Sequence, residues 1–117
     1  MTLRQIVEAL SLSVQTGSDK LDTKVTGGYA SDLLSCVMAT ARKGNLWVTL
    51  QSHMNIVAVA VLLQLAGIIV TESMTLDVAT LQKAGDEGIP ILTTPHTTFH
   101  VVGQLTELGI QGTEKSQ

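Results

Sequence analysis

Aromatic residues and clustered basic residues are both scarce in this sequence of 117 residues. The three aromatic side chains are Trp47, Tyr29 and Phe99, too few to build the stacking platforms that bind single-stranded nucleic acids. The formal net charge is −3, whereas neutralising a phosphate backbone requires clusters of Lys and Arg. We therefore expect no nucleic-acid partner, and we expect an aliphatic core.

Sequence signals for disulfides, for a leader peptide and for a membrane span are also lacking. The single cysteine, Cys36, excludes an internal disulfide framework, and the N-terminus lacks the basic stretch and long apolar run of a signal peptide. The most apolar stretch, 56–70, would reach only about 22 Å as a helix, against a hydrocarbon thickness of about 30 Å. We expect a cytoplasmic protein in a reducing compartment, with no membrane partner.

What the sequence does contain is an apolar strand–helix–strand unit at its centre. Its pattern predicts a strand at 46–50, a polar turn at 51–55, a helix at 56–66 and a strand at 68–71, with Gly67 just past the helix end. Both strands are apolar enough to be covered on both faces, which is typical of parallel strands. The sequence therefore predicts a buried parallel sheet.

Shorter apolar patterns on either side add further elements. We predict strands at 12–14, 24–26 and 89–93, the second of them ended by Gly27 and Gly28. The other predicted helices, with their expected buried residues, are one capped by Thr2 (Leu3, Ile6, Val7, Leu10), one capped by Ser31 or Asp32 (Leu34, Val37, Met38, Ala41), one from 76 to about 87 capped by Thr75, and one from about 98 to 108 (Phe99, Val102, Leu105, Leu108). These elements predict one domain over residues 1–111, followed by a polar tail at 112–117.

Polar side chains gather in the loops that follow the predicted strands. In a parallel sheet such loops lie at one edge, where ligands bind, and here they are residues 26–32, 51–55, 71–75 and 93–97. They carry hydroxyl, amide and imidazole groups at Thr26, Ser31, Thr49, Gln51, Ser52, His53, Asn55, Thr71, Ser73, Thr93, Thr94, His96 and Thr97. Each loop leads to a helix N-terminus, whose free N–H groups favour an anion. Two interpretations stay open: helix capping alone, or a convergent binding edge.

The charges of these loops limit the class of ligand. None of the four contains Lys or Arg, and Asp32 and Glu72 add negative charge. Sites for triphosphates normally supply a cation to the phosphates. A weakly charged ligand, a nucleoside-like group or a protein surface therefore fits this edge better than a polyphosphate.

Catalytic and metal-binding motifs are absent from the sequence. It has neither a G-x-x-x-x-G-K-[ST] loop nor a G-x-G-x-x-G fingerprint, and Gly27-Gly28 is interpreted as a tight turn that needs positive φ. His96 and His100 lie four apart without a carboxylate or a third ligand nearby, so we expect no metal site. Cys36 is expected to be a buried, inert thiol. No Ser/His/Asp arrangement is apparent, so we expect no enzymatic activity.

Three segments, TGGYASDLLSCVMA (26–39), WVTLQSHMNIVAVAVL (47–62) and GIPILTTPHTTF (88–99), resemble the DRTGG domain family. That family consists of small α/β regulatory modules that occur alone or fused to CBS domains in pyrophosphatases and to phosphotransacetylases. It is similar to the N-terminal domain of HPr kinase/phosphorylase. The resemblance runs from about residue 12 to 110. The name-giving motif aligns with Lys24-Val25-Thr26-Gly27-Gly28, of which only the last three residues match.

The resemblance implies a three-layer α/β/α fold with a mainly parallel sheet of four to five strands, and a non-catalytic, regulatory or dimerising role. The serine-kinase label of some relatives does not carry over, because the phosphate-binding loop of the kinase domain is absent from these residues. The family-like polar positions are Thr26, Gly27, Gly28, Ser31, Asp32, Thr49, Gln51, His53 and Asn55.

Two functions follow from these expectations. In the first, the chain is a homodimeric regulatory module that senses a small metabolite or nucleotide at the carboxyl-end edge of the sheet, without a resident cofactor. In the alternative, the same edge docks a partner protein such as a kinase or another enzyme. The candidate ligand-binding residues are Thr26, Gly27, Gly28, Ser31, Asp32, Thr49, Gln51, His53, Asn55, Thr93, Thr94 and His96.

Overall fold

A five-stranded sheet lies between two layers of helices in the computed structural model of the chain, which describes residues 1–115. The strands are β1 (Ser13–Thr16), β2 (Gly27–Ala30), β3 (Asn45–Thr49), β4 (Gly67–Val70) and β5 (Ile91–Thr93). The helices are α1 (Leu3–Leu10), α2 (Leu34–Thr40), α3 (Asn55–Leu63), α4 (Val78–Glu87) and α5 (Thr98–Glu107), with a short 3-10 turn at Ser18–Lys20. This confirms the predicted three-layer α/β/α fold. Ser116 and Gln117, the end of the predicted polar tail, lie outside the described residues.

The strands follow the order β1-β5-β4-β3-β2 across the sheet. β2 to β5 are parallel, with Trp47 of β3 beside Ile68 of β4, and Ile68 beside Ile91 of β5. β1 is an antiparallel edge strand whose register against β5 shifts between Val14 and Thr16, which marks a bulge. Because α2, α3 and α4 connect successive parallel strands, the carboxyl ends of β2 to β5 share one edge. No helix within residues 1–115 has the length and apolarity needed to cross a bilayer.

The sheet is buried on both faces because its central strands carry mostly apolar side chains. Alternate residues point to opposite faces, and each face packs against its own helices. Trp47, Ile68, Val70 and Ile91 lie in the core with α2, α3 and α4, whereas Leu46, Val48, Ile69 and Leu92 lie in the core with α1 and α5. The indole N–H of Trp47 donates to the Ser31 carbonyl at 2.9 Å, which satisfies a polar atom inside the core. The predicted buried parallel sheet is confirmed.

The inner faces of α5 and α2 differ from prediction. The predicted burial of Phe99 and Val102 is wrong, because these side chains are 90% and 37% exposed. α5 packs on the sheet through Val101 and Leu105, and at 3.6 residues per turn Phe99 lies on the opposite side of that helix. Met38 of α2 is likewise 46% exposed, since it lies on the flank of the helix. In α5 packing selects the other face of the helix, whereas in α2 the predicted Val37 and Ala41 are buried and only Met38 departs from the prediction.

Two predicted element boundaries shift because hydrogen bonds between loops override the local pattern. Gln64, not Gly67, ends α3 in a left-handed conformation with φ 57°, and its carbonyl accepts from the Gly44 N–H at 2.9 Å. Gly67 is instead the first residue of β4. α4 begins after Asp77 rather than Thr75, because the preceding loop is hydrogen-bonded to the β5–α5 loop.

Gly27 and Gly28 lie inside β2, so the predicted strand at 24–26 and the tight turn after it are wrong. Neither glycine has a positive φ. The C-terminal segment passes beside them: the Gly28 N–H donates to the Gln111 carbonyl (2.9 Å), and the Gly28 carbonyl accepts from the Thr113 N–H (2.8 Å). A Cβ on Gly27 would lie 3.0 Å from Thr113 Oγ1 and 3.1 Å from the Gln111 carbonyl oxygen. Close approach of a second backbone, not a turn, therefore favours glycine here.

Candidate functional site

The predicted convergence of all four loops is wrong for Thr26 and Gly27. These residues precede or begin β2, so they lie at the amino end of the parallel strands, opposite the predicted edge. Thr26 Oγ1 donates to the Lys43 carbonyl (2.8 Å) and accepts from Asn45 Nδ2 (3.2 Å), which fixes it beside the start of β3. Gly28 lies within β2. A ligand-binding role for these three residues stays a prediction without support from convergence.

Asp32 joins the loops that follow β2 and β3 at the carboxyl-end edge. Its Oδ1 accepts hydrogen bonds from Thr49 Oγ1 (2.9 Å) and from the Leu50 N–H (2.7 Å). Its carbonyl accepts from Gln51 Nε2 at 2.9 Å. Thr49 is fully buried, and its Oγ1 also accepts from the Gln51 N–H at 3.1 Å. Thr49 therefore positions the loop, whereas Asp32 and Gln51 reach its surface. Ser31 stays beside this loop, where its N–H donates to the Val48 carbonyl at 3.3 Å.

His53 forms the second link at this edge. Its Nδ1 lies 2.9 Å from Asp77 Oδ2, and the side chains are 70% and 51% exposed. The carboxylate holds Nδ1, whereas Nε2 on the other side of the ring has no hydrogen-bond partner within residues 1–115. Nearby, Thr80 Oγ1 donates to the Ser52 carbonyl at 2.9 Å. Sequence reasoning did not predict Asp77 or Thr80 at the site, because both belong to the start of α4, which lies 24 or more residues further along the chain.

These residues enclose a small cleft, here called the Gln51 cleft. It has a volume of about 250 Å³ and is lined by Asp32, Leu50, Gln51, Ser52, His53 and Met74. The backbone N–H groups of Ser52, His53 and Met54 donate no hydrogen bond within residues 1–115. They precede α3, so they favour a negatively charged group. Asn55, the first residue of α3, is exposed beside the cleft.

The loops after β4 and β5 are bound to each other. Glu72 and Ser73 both have left-handed backbone conformations (φ 60° and 56°), and their N–H groups donate to the carbonyls of His96 (2.9 Å) and Thr94 (3.1 Å). α4 and α5 pack on opposite faces of the sheet, so the topological switch point, where ligands commonly bind, lies between β4 and β5. The two hydrogen bonds close that crevice. Neither Thr94 nor His96 lines the Gln51 cleft.

A second cleft, here called the Ser73 cleft, lies on the other side of Met74. It has a volume of about 370 Å³ and is lined by Ser13, Gln15, Ser73, Met74, Thr75, Leu76, Leu81, Thr93, Thr94 and Pro95. Thr93 and Thr94 from the predicted set therefore belong to this cleft. His96 lines neither cleft, and its ring stacks on His100 with centroids 4.3 Å apart. The structure thus divides the predicted site among two clefts and the amino end of the sheet.

The charges are unevenly placed between the two ends of the sheet. The chain has seven Lys and Arg residues, and five lie at the amino end of the parallel strands: Arg4, Lys20, Lys24, Arg42 and Lys43. The loops at the carboxyl end contain Asp32, Glu72 and Asp77 but neither Lys nor Arg. Within residues 1–115, no three His, Cys, Asp or Glu side chains are grouped so that they could hold a metal ion. The edge is therefore acidic, and its charge disfavours polyphosphates.

Comparison with known proteins identifies the fold and the family. A solved structure of the CBS and DRTGG domains of the regulatory region of Clostridium perfringens pyrophosphatase, complexed with the activator diadenosine tetraphosphate, is similar to this chain, with a TM-score of 0.72 and 19% sequence identity. The similarity covers 89% of this chain and 45% of that chain. A comparison with curated proteins gives no match. The family model of the DRTGG domain matches residues 5–108, so this chain belongs to the DRTGG domain family.

Proposed function

We propose that this chain is a non-catalytic regulatory module that binds a small metabolite or nucleotide in the Gln51 cleft. The main observation in support of this proposal is the cleft itself, where hydrogen bonds hold Asp32, Gln51 and His53 around the start of α3. Membership of the DRTGG family supports a regulatory role. The similar pyrophosphatase structure is a regulatory region bound to a nucleotide activator, which supports nucleotides as the first ligands to test.

The electrostatics of the cleft favour a ligand with little negative charge. The free N–H groups of Ser52, His53 and Met54 suit one phosphate or carboxylate group. Additional phosphates would meet Asp32 and Asp77 without a Lys or Arg to neutralise them. We therefore expect a nucleoside monophosphate to bind more tightly than a triphosphate.

The side chains of the cleft support binding rather than catalysis. Asp77 orients the His53 ring as in a catalytic pair, but within residues 1–115 no Ser, Thr or Cys hydrogen-bonds to that ring. A base of this kind activates a nucleophile only within hydrogen-bond reach. The pair is therefore assigned to ligand binding through His53 Nε2.

The homodimer that we propose forms through the outer face of α3. This helix contains no charged residue, and its outer side exposes Met54 (50%), Val61 (39%) and Leu62 (65%) together with Ala58. Exposed apolar patches of this kind mark protein interfaces. A second copy is the fitting occupant, because an uncharged patch can face itself across a two-fold axis without repulsion. Pairing through the acidic carboxyl-end edge would bring like charges together.

Titration calorimetry with adenosine monophosphate, diphosphate and triphosphate, diadenosine tetraphosphate and acetyl phosphate tests the ligand proposal. We expect binding of the monophosphate to weaken by about fivefold or more in Gln51→Ala and in His53→Ala, since each removes a hydrogen bond of roughly 1 kcal/mol or more. Gln82→Ala, an exposed change on α4, is the matched control. Binding that survives the combined Gln51→Ala and His53→Ala change, or no binding of any probe, would rule out this site.

A second candidate function, docking of a partner protein at the same edge, is favoured by two exposed apolar residues. Phe99 and Val78 are 90% and 81% exposed and lie in the first turns of α5 and α4. The acidic loops between them suit a partner surface that carries Lys or Arg. Purification from the native source separates the two functions. A stoichiometric basic partner supports docking, whereas a retained small molecule without a partner rejects it.

A further inference from the structure

The Ser73 cleft is a second, separate depression with the dimensions of a small-molecule site. It lies between α4 and the edge strand β1, beside the carboxyl end of β5. Its volume of about 370 Å³ falls within the range of roughly 300–1,000 Å³ that is usual for ligand pockets. The Gln51 cleft, at about 250 Å³, is below that range. The Ser73 cleft therefore has room for a small ligand of its own.

The polar groups of this cleft are uncharged and mostly without protein partners. The side-chain hydroxyls of Ser13, Ser73 and Thr75 form no hydrogen bond to the part of the chain that the structure describes. Gln15 Nε2 donates to Thr93 Oγ1 at 3.0 Å, which orients the amide and leaves its Oε1 as an acceptor. Residues with three hydroxyls and an amide thus line one cleft, a set that matches the hydroxyls and ring nitrogens of an uncharged polar ligand.

The remaining lining residues are apolar, and none is charged. Met74, Leu76, Leu81 and Pro95 line the cleft and offer contact to a flat ring. Without Lys or Arg on its walls, the cleft has no side chain to neutralise a phosphate. A free sugar would leave these apolar contacts unused. A nucleoside combines both requirements, because it carries a planar base and a hydroxylated ribose.

The backbone of the β4–α4 loop fixes one wall of the cleft in a costly conformation. Glu72 and Ser73 are consecutive residues with positive φ, a region that L-residues other than glycine disfavour. The hydrogen bonds from their N–H groups to His96 and Thr94 hold this conformation, and it places Ser73 and Thr75 on the wall opposite β1. Backbone strain that is maintained in this way is common at ligand-binding sites.

We propose that the Ser73 cleft binds an uncharged nucleoside, with its hydroxyls on Ser13 and Ser73 and its base against the apolar wall. Binding here is independent of the Gln51 cleft and of the function proposed for it. The two clefts share Met74 but none of their polar side chains.

The test is an amide chemical-shift titration of the full chain with adenosine, ribose, adenine and glucose as separate probes. We expect adenosine to shift the amides of residues 13–15, 73–76 and 93–94, and we expect ribose, adenine and glucose to bind more weakly. The Ser13→Ala and Ser73→Ala double variant should weaken adenosine binding by about tenfold, since it removes two hydrogen bonds to the ligand.

The matched control is Gln82→Ala, an exposed change on α4 outside both clefts, which should leave adenosine binding unchanged. The inference is overturned if millimolar adenosine shifts none of the amides of residues 13–15, 73–76 and 93–94. It is also overturned if the double variant and the unmodified protein bind adenosine with the same affinity. It is also overturned if His53→Ala abolishes adenosine binding, because the ligand would then lie in the Gln51 cleft. Loss of nucleotide binding in the Gln51 cleft, with adenosine shifts retained here, would contradict only the earlier proposal.

Discussion

Replacing Gly27 by Ala tests why the Thr-Gly-Gly part of the family motif carries glycine in this chain. The added Cβ would lie 3.0 Å from Thr113 Oγ1 and 3.1 Å from the Gln111 carbonyl oxygen, with Asn45 Nδ2 at 3.3 Å. Overpacking of this kind costs about 1–3 kcal/mol. Reduced freedom of the unfolded chain offsets roughly 0.4–1 kcal/mol of that cost. We expect a net loss of about 1–2 kcal/mol in the free energy of unfolding.

Gly28→Ala is the matched control one residue further along. Its Cβ would have its nearest contacts at 3.5 Å, to Ile110 Cγ2, and at 3.7 Å, to the Leu46 carbonyl oxygen, which are ordinary van der Waals distances. We expect this variant to be neutral or more stable by up to roughly 1 kcal/mol. Urea unfolding followed by circular dichroism measures both variants. Gly27→Ala should lower the urea concentration at the unfolding midpoint without changing the denaturant slope. In thermal unfolding it should lower Tm by about 4–8 °C.

A double variant identifies the C-terminal segment as the cause. Thr113→Ala removes the hydroxyl that the new Cβ would meet, so Gly27→Ala should cost less in that background, with a coupling of about 0.5 kcal/mol or more. The reasoning is refuted if Gly27→Ala and Gly28→Ala are equally stable. It is also refuted if Gly27→Ala is destabilising but shows no coupling to Thr113→Ala.

Two further changes address the strained loop and the proposed dimer. Ser73→Gly should raise the free energy of unfolding by roughly 0.5–1 kcal/mol in thermal denaturation, because glycine adopts positive φ without the clash of a side chain. Ser35→Gly within α2 is the control and should lower the free energy of unfolding. A lower Tm for Ser73→Gly contradicts the strain argument. Leu62→Glu should convert the dimer to monomer in sedimentation velocity, because it places two carboxylates in the self-contact; Val78→Glu, a similarly exposed change outside the α3 face, should not. A natural chain that sediments as a monomer at high micromolar concentration rejects the dimer.

The centre of the fold is predictable from local sequence because its signal is redundant. Trp47, Ile68 and their neighbours form apolar runs that suit only strands buried on both faces. Errors arise where a distant contact decides. The role of Gly27 depends on Thr113, which is far away in sequence. The orientation of Phe99 depends on which side of α5 meets the sheet, and the pattern of that helix alone allowed both sides.

Only the general position of the candidate site, at the carboxyl-end edge of the sheet, was predictable from the sequence. Parallel connectivity correctly indicates that the loops carrying Asp32 and Gln51 lie side by side, and hydrogen bonds join them. His53 pairs with Asp77 because α4 begins after that residue. The capping pattern had instead predicted a start after Thr75, two residues earlier. Thr93 lies in a different cleft, because α5 crosses to the opposite face of the sheet from α4. That crossing leaves no local mark in the sequence.

The way the sheet ends on each side has a consequence for the behaviour of this protein at high concentration. Unpaired strand edges are templates on which further copies can add, one strand after another, into aggregates. Here the C-terminal segment already occupies the hydrogen-bonding groups of Gly28 on one side, and the bulge between Val14 and Thr16 disrupts the other. We expect strand addition at either margin to be blocked. Truncation after residue 110 would free the β2 margin alone, because the bulge of β1 remains, so we expect two truncated copies to pair edge to edge rather than to form longer assemblies.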